Sequence, residues 1–580
     1  MTPVRRIRRR AAAAVAGDWP GHVPPLLRRI YAARGIVDGA LAQPRLSRLL
    51  PPDTLTGIAD AAALLADAIG DCRRIVVVGD FDCDGATACA VAVRGLRMLG
   101  ARDVLPAVPN RVIHGYGLSP ALVDELAALG SELLLTVDHG IACHAGVAAA
   151  KARGWRVLVT DHHLPGERLP PADVIVDPNL AGDGFPSKCL AGVGVIFYVL
   201  LALRGLLRTR GALTGADPDL RTLLDLVAVG TVADLVPLDA NNRALVAAGL
   251  QRLRAGQGCP GLRALIDVSG RQAARLTAAD IGFTVAPRLN AAGRLEDMAL
   301  GIECLLCDDG AHAAELARRL DGINAERRGV QQTMVDEAEA AIARRVPADI
   351  TAASPAALCL FDPDWHPGVI GLVASKLKER LHRPVVAFAP AEPGSASLRG
   401  SARSIPGFHV RDALAALDAA NPGLMDKFGG HAMAAGLGLD AGRFAAFEHA
   451  FCAHAAACLD ASVLQAVLDS DGELLPHEFD RFHAEALRDG GPWGQGFPEP
   501  LFDGEFEVLD WRIVGERHLK LRLRSPDRRE PLGAIQFGGA DATGGEPPQR
   551  VRLAYRLAAD DYRGGQAIQL IVEHRETAGA

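Results

Sequence analysis

Acid and histidine gather at three points of this sequence, each directly after a short apolar run. Asp80, Asp82 and Asp84 alternate through Asp80-Phe81-Asp82-Cys83-Asp84-Gly85, after Ile75-Val76-Val77-Val78-Gly79. Asp138-His139-Gly140 follows Leu133-Leu134-Leu135-Thr136-Val137, and Asp161-His162-His163 follows Val157-Leu158-Val159-Thr160. Five aspartates on one rim repel one another unless hard divalent cations compensate them. A mixed carboxylate and imidazole set argues for Mn2+, admits Mg2+ and disfavours Zn2+, which would call for thiolates. Two such ions sharing a bridging Asp form the arrangement that attacks a phosphorus centre.

For these residues to meet, the runs must be neighbouring strands. Each is continuously apolar rather than alternating, as strands buried on both faces of a parallel sheet are. Helical segments at 119–129 and 142–153 separate them, so the pattern is βαβ, and ligands then bind beyond the carboxyl ends of the strands. The expected strands are 75–79, 104–108, 133–137, 157–160 and 174–176. In an extended segment residues i and i+2 point the same way, which would aim Asp80, Asp82 and Asp84 into one pocket.

Other readings of these acids fail or weaken. Asp-x-Asp-x-Asp-Gly also opens an EF-hand, but that loop needs Glu at position twelve, here Val91, and a helix before it. Asp138 or Asp161 alone would suit a turn; their recurrence at equivalent strand ends argues for a shared site. Asp225 interrupts the apolar helix Leu223–Val229, where an unpaired charge is costly, so it is a candidate ligand. Asp234, in Thr231–Pro237, has the same character and is placed behind the ligands.

At 580 residues the chain has room for three or four domains. Residues 1–70 read as a basic tail and helical preface, 71–306 as a first α/β domain and 307–350 as one long connecting helix. Residues 351–460 read as a smaller α/β domain, with strands in 357–361 and 384–389 around a helix from Val369 to Arg380. In 461–580 alternating runs such as Leu519–Arg524 and Val551–Arg556 suggest a small β-barrel of the OB type.

The net charge of −7 does not exclude a nucleic-acid partner, because residues 1–50 hold ten Arg against Asp18 and Asp38. Cys304 and Cys307 form a lone CxxC, read as a helix face, and the scattered cysteines suit a reducing compartment. No apolar stretch reaches the roughly 18 uninterrupted residues of a membrane helix. The Arg-rich start lacks a convincing cleavage site, so a cytoplasmic protein is expected.

Asp80-x-Asp82-x-Asp84-Gly85, Asp138 and Asp161-His162-His163 resemble the motifs of the DHH phosphoesterases. Pro109-Asn110-Arg111, Gly115–Leu118, Leu190–Gly194, Thr231–Leu238, Pro287–Arg294 and Gly400–Gly407 narrow the resemblance to the RecJ single-strand-specific exonucleases. Gly429–Gly436 resembles the glycine-rich signature of the associated DHHA1 domain. The likeness spans residues 25–575; His139 departs from it, standing where Asn is expected.

The resemblance implies roles. Asp82 with Asp138, helped by Asp80, would hold one ion; Asp84, Asp138, His162 and Asp225 would hold the other. His163 would touch the scissile phosphate, with Asp161 and Asp80 in the catalytic set. Ser401, Arg403 and Ser404, with Gly429, Gly430 and His431, would bind DNA phosphates. Arg111, Arg288, Asn290 and Arg294 would extend that surface, since Arg meets phosphate bidentately. The expected activity is metal-dependent hydrolysis of single-stranded DNA from its 5′ end in repair or recombination, with a single-strand-binding protein and a helicase as partners. The alternatives are a phosphoesterase for pyrophosphate, cyclic dinucleotides or short oligonucleotides, and a catalytically silent DNA-binding relative.

Overall fold

Apolar runs and turn residues sort the described residues into three sheets and a barrel. The computed structural model describes residues 5–11, 14–15, 17–110, 113–213, 216–345, 355–515, 517–540, 547–561 and 564–578. After a short first strand, β1 (Arg5–Arg9), come β2 (Ile75–Val78), β3 (Val104–Ala107), β4 (Leu133–Val137), β5 (Arg156–Thr160) and β6 (Val174–Val176). The last five form a parallel sheet ordered β3-β2-β4-β5-β6. The chain runs outward from β2 to β3, then returns to build β4 on the other side of β2. The order therefore reverses between β2 and β4, where open α/β sheets bind ligands. Every residue of β2 and β4 is buried, so the two rim loops grow from a rigid floor.

The helix Gly192–Thr209 is long and apolar enough to cross a membrane. Here it packs in the core against the helices Ile58–Gly70 and Cys83–Met98.

One 36-residue helix, Gly310–Arg345, about 54 Å long, joins the first domain to the second. Ala313, Leu316, Ala317, Leu320 and Ile323 belong to the first domain's core, whereas Met334, Val335, Ala338 and Ile342 pack under the second. Both domains thus share one rod. The second sheet holds β7 (Leu358–Phe361), β8 (Val385–Pro390), β9 (Ser397–Arg403), β10 (Lys427–Gly430) and β11 (Ala434–Asp440), ordered β10-β11-β9-β8-β7. Its helix Ile370–Leu381 lies between β7 and β8 in sequence.

Strand β12 (Ala466–Ser470) leads to a closed barrel of β13 (Phe502–Val514), β14 (His518–Arg524), β15 (Leu532–Gln536), β16 (Arg550–Ala559) and β17 (Ile568–Thr577). Inward Leu519, Leu521 and Leu523 are buried, which is the alternation a barrel wall requires.

The expectation of a basic tail is corrected. β1 pairs in parallel with β12, Arg5 opposite Ala466 and Arg9 opposite Ser470. Arg8 meets Asp469 at 2.7 Å, Arg9 bonds Asp503 at 2.9–3.1 Å and also pairs with Glu473, and Arg34 grips Asp471 at 2.8 Å. Tyr31 donates its hydroxyl to the Gly490 carbonyl at 2.6 Å. These arginines are consumed by the barrel domain's acids, so the segment clasps that domain rather than presenting free positive charge.

Candidate metal centre

The acid loop leaves β2 and turns at once into the helix Cys83–Met98. Asp82 caps that helix, its carboxylate accepting the Gly85 N–H at 3.0 Å. The three aspartates therefore do not lie on one extended segment, and the alternation argument is corrected. Asp84 instead sits in the first turn, between its own helix N-terminus and that of Gly192–Thr209, accepting the N–H groups of Gly192 and Val193 at 2.7 and 3.1 Å. Gly192 is needed there: a Cβ would stand 2.4 Å from the Asp138 side chain.

Asp138 follows β4 with a left-handed φ of 65°, an uncommon conformation that Asp tolerates better than most residues. His162 Nε2 lies 3.1 Å from Asp138 Oδ1 and 3.5 Å from Asp234 Oδ2. Among the described residues, three groups of potential ligand atoms each fall within 4.8 Å: Asp80, Asp82 and Asp138; Asp84, His162 and Asp234; and Asp138, His162 and His163. Asp138 and His162 each belong to two of them.

The electrostatics fit a cation. Burial pushes the Asp138 carboxyl well above the usual carboxylate range, and Asp84 and Asp82 add repulsion. Asp84 is pushed up to about 7, by burial first and then by Asp82. Asp234 is raised well above its ordinary value by burial, then by Asp84 and Asp82. Burial lowers His162 to about 4, leaving a neutral imidazole suited to ligation. Asp138 Oδ1 and His162 Nε2 are buried without a hydrogen-bond partner, and they face each other. A divalent ion would satisfy both atoms and relieve the crowded carboxylates.

Asp161 is turned away from these groups. One oxygen accepts the N–H groups of His162 and His163 at 2.7 and 3.1 Å and His163 Nδ1 at 2.7 Å; the other accepts the Ile141 N–H at 2.9 Å. Burial opposes ionisation, but the bond and charge of His163 hold Asp161 well below the usual carboxylate range. Conversely, burial alone would lower His163, yet the Asp161 bond raises it to about 9. The Asp161 bond thus fixes His163 through Nδ1 and favours its charged form.

His139 is fully buried and neutral, burial lowering it to about 4, and its Nε2 meets the Val78 carbonyl at 3.1 Å. It laces the end of β4 to the end of β2.

Asp225 is corrected as a ligand. It is buried at the start of the helix Leu224–Ala233, where Oδ2 accepts the Cys259 N–H at 2.7 Å, and it joins none of the ligand groups. Asp234, at the opposite end of that helix, lies in such a group with Asp84 and His162.

In the second domain the hairpin joining β10 to β11, built on Gly429 and Gly430, delivers His431 to the rim. The His431 ring lies 6.1 Å from that of His163 at an interplanar angle of 18°. Arg403 bonds Ser375 Oγ at 3.2 Å, Ser401 Oγ at 2.9 Å and the Ala402 carbonyl at 2.8 Å. Ser401 thereby keeps its own O–H as a donor. Ser404 is corrected: it is fully buried and donates to the Phe408 carbonyl at 2.6 Å. Arg288 is also corrected, being 8% exposed and paired with Asp321 at 2.8 Å. The Asn290 side-chain oxygen accepts the Cys83 N–H at 2.8 Å, and Arg294 Nη1 donates to the Gly368 carbonyl at 3.3 Å. Arg111 lies outside the described residues.

Two aromatics escaped the sequence reading of the site. Tyr116 stands edge-on to both Phe81 (5.8 Å) and His163 (6.3 Å), so its place in Gly115–Leu118 was the signal to follow. A cavity of about 750 Å3, lined by Ala233, Leu235 and Asn290, runs to Trp493, with Arg45, Arg254, Arg294 and Arg488 on its walls.

The chain is similar to known proteins along nearly its whole length. Residues 74–231 match the DHH family N-terminal domain, 354–456 the DHHA1 domain and 470–574 the RecJ OB domain. The single-stranded-DNA-specific exonuclease RecJ of Dickeya dadantii (strain 3937) is 51% identical over 578 residues, 99% of each chain. That of Escherichia coli (strain K12) is 48% identical over 573 residues, 98% of each. The crystal structure of RecJ in complex with Mn2+ from Thermus thermophilus superposes with a TM-score of 0.79 at 32% identity, covering 99% of this chain and 80% of that one. A Mg2+ complex from the same source gives 0.75 at 31% identity, covering 99% and 79%.

Proposed function

Since the chain belongs to the RecJ family of single-stranded-DNA-specific exonucleases, we propose that it removes nucleotides from the 5′ end of single-stranded DNA at two Mn2+ or Mg2+ ions, in DNA repair and recombination. What supports the two-ion reading is one observation: two ligand groups of the rim have no member in common, and a third joins them through Asp138 and His162. Asp80, Asp82 and Asp138 would hold one ion; Asp84, Asp138, His162 and Asp234 would hold the other. When bound, the pair would activate the attacking water and absorb charge on the phosphate oxygens.

The remaining roles fall to side chains. His163, charged and held by Asp161, donates from Nε2 to the phosphate or the leaving oxygen. Ser401 and Arg403, together with the Gly429–His431 hairpin, hold the terminal phosphate from the opposite wall. Asn290, Arg288 and Ser404 serve the scaffold in this reading. The strand follows the arginine-lined cavity toward the barrel, whose basic outer residues Lys520 and Arg522 offer a second contact surface. Such a substrate implies a helicase to open the duplex and a protein that coats the single strand. It also assigns the enzyme to the cytoplasm, where the DNA is.

Calorimetric titration with Mn2+ tests the two-ion assignment. The expected result is two equivalents bound by the wild type and loss of binding at both positions in Asp138→Ala. One equivalent in the wild type, or an Asp138→Ala variant that keeps two, would contradict it.

A further inference from the structure

The helix Ala286–Leu295 touches three parts of the molecule within three turns. Toward the acid loop, Asn290 Oδ1 accepts the Cys83 N–H at 2.8 Å. One turn on, Gly293 lies so close that a Cβ would stand 2.0 Å from the Phe81 carbonyl oxygen. Phe81 and Cys83 flank Asp82, so the helix grips the acid loop on both sides of a ligand. Toward the second domain, Arg294 Nη1 bonds the Gly368 carbonyl, and Gly368 is packed so that a Cβ would meet the Arg294 carbonyl at 2.5 Å. Toward the shared rod, Arg288 pairs with Asp321 at 2.8 Å. A π-helical segment, Ile281–Val285, leads into it, a local irregularity of the kind found at functional sites.

We propose that Asn290 is a positioning residue, through which the seating of the second domain on Arg294 sets the geometry of the acid loop and hence its affinity for the divalent cation. The proposal rests on the metal-site reading given above. The physical route is short and stiff. A displacement of Gly368 moves the Arg294 end of the helix, and the helix carries Asn290 and Gly293 against the loop backbone. Cys83 N–H is an unsatisfied donor of the first helical turn unless Asn290 caps it, so the loop conformation depends on that oxygen. A phosphate-binding role for Asn290 would make a different prediction, because it would leave cation affinity without DNA unchanged.

Two variants separate these cases, both measured in the full chain without nucleic acid. Asn290→Leu removes the acceptor at similar volume. Gly368→Ala presses the second domain off Arg294 from a position with no place in the ligand groups. Mn2+ affinity by calorimetry, and hydrogen exchange of residues 81–85 in the metal-free protein, are the readouts. The expected result is affinity about tenfold weaker in Asn290→Leu, a smaller loss in Gly368→Ala, and faster exchange of the loop in both. The double variant should lose little more than Asn290→Leu, since both act on one route. Unchanged affinity and exchange in Asn290→Leu would overturn the positioning role. A loss confined to Asn290→Leu, with Gly368→Ala like wild type in both readouts, would overturn the coupling between domains. A wild type that binds no Mn2+ would instead overturn the metal reading itself. A circular-dichroism melt run on each variant distinguishes a loop effect from global unfolding, and global unfolding of both would count against a local route.

Discussion

His163 and His431 stand with their rings 6.1 Å apart and nearly parallel, although one follows strand β5 of the first domain and the other sits on a hairpin of the second. Burial lowers His431, and positive charge on His163 lowers it further. An anion between them would relieve that repulsion. The two domains therefore meet at these two rings, where the proposed function places the phosphate, and both pack on the shared rod Gly310–Arg345.

Replacing Asp138 should abolish catalysis without unfolding the protein. The β4 strand behind it is wholly buried, and burial of each large aliphatic side chain there contributes about 1.5–3 kcal/mol independently of the carboxylate. Asp138→Asn should weaken Mn2+ binding roughly 100-fold or more, beyond the usual effect of a neighbouring support residue. Calorimetry beside a thermal melt checks this; normal cation affinity would refute the bridging role.

Asp225 and Asp234 should fail in opposite ways. Asp234→Asn should lose cation binding with little change in melting. Asp225→Ala strands the Cys259 N–H and should cost about 1–3 kcal/mol of stability while Mn2+ still binds. Urea unfolding and Mn2+ titration of the two variants decide it, and the reverse pattern would restore Asp225 as a ligand.

Arg403→Ala should raise the DNA concentration needed for half-maximal rate and flatten the salt dependence of binding by about 0.7 in logarithmic slope, the share of one phosphate contact on a single strand. An unchanged slope would confine Arg403 to its bonds with Ser375 and Ser401.

The clasp of β1 should be acid-labile. Asp503 is held below the ordinary carboxylate range: burial opposes this, but hydrogen bonds from Arg9, Ser470 and Arg552 prevail. A depressed folded-state value means the stabilisation is complete above the unfolded value near 4 and is lost as pH falls through the folded one. Hydrogen exchange of residues 5–9 should therefore accelerate below about pH 4 more than that of β4. Equal acceleration of both would show global unfolding instead.

The motif residues were legible because buried strands announce themselves as apolar runs, and the acids at their ends had one rim to share. Their geometry was less so. Asp84 belongs to a helix that begins at Cys83, which residue spacing does not reveal. Asp225 and Asp234 lie at the two ends of one helix, about 14 Å apart, and only packing decides which end meets the rim. Ser404 and Arg288 sit within family motifs but are spent on Phe408 and Asp321, a distinction that needs coordinates. The N-terminal arginines read as a free charge because their partners, Asp469 and Asp503, are more than 450 residues away in sequence.

In the proposed function a single strand is cleaved from its 5′ end at the rim between His163 and His431. An oligonucleotide labelled at either end, given as a single strand or as a blunt duplex and incubated with Mn2+, tests it most directly. Early release of the 5′ label as mononucleotide from the single strand, with the duplex spared, is the expected result. Release of the 3′ label first, or preferential attack on the blunt duplex, would contradict it.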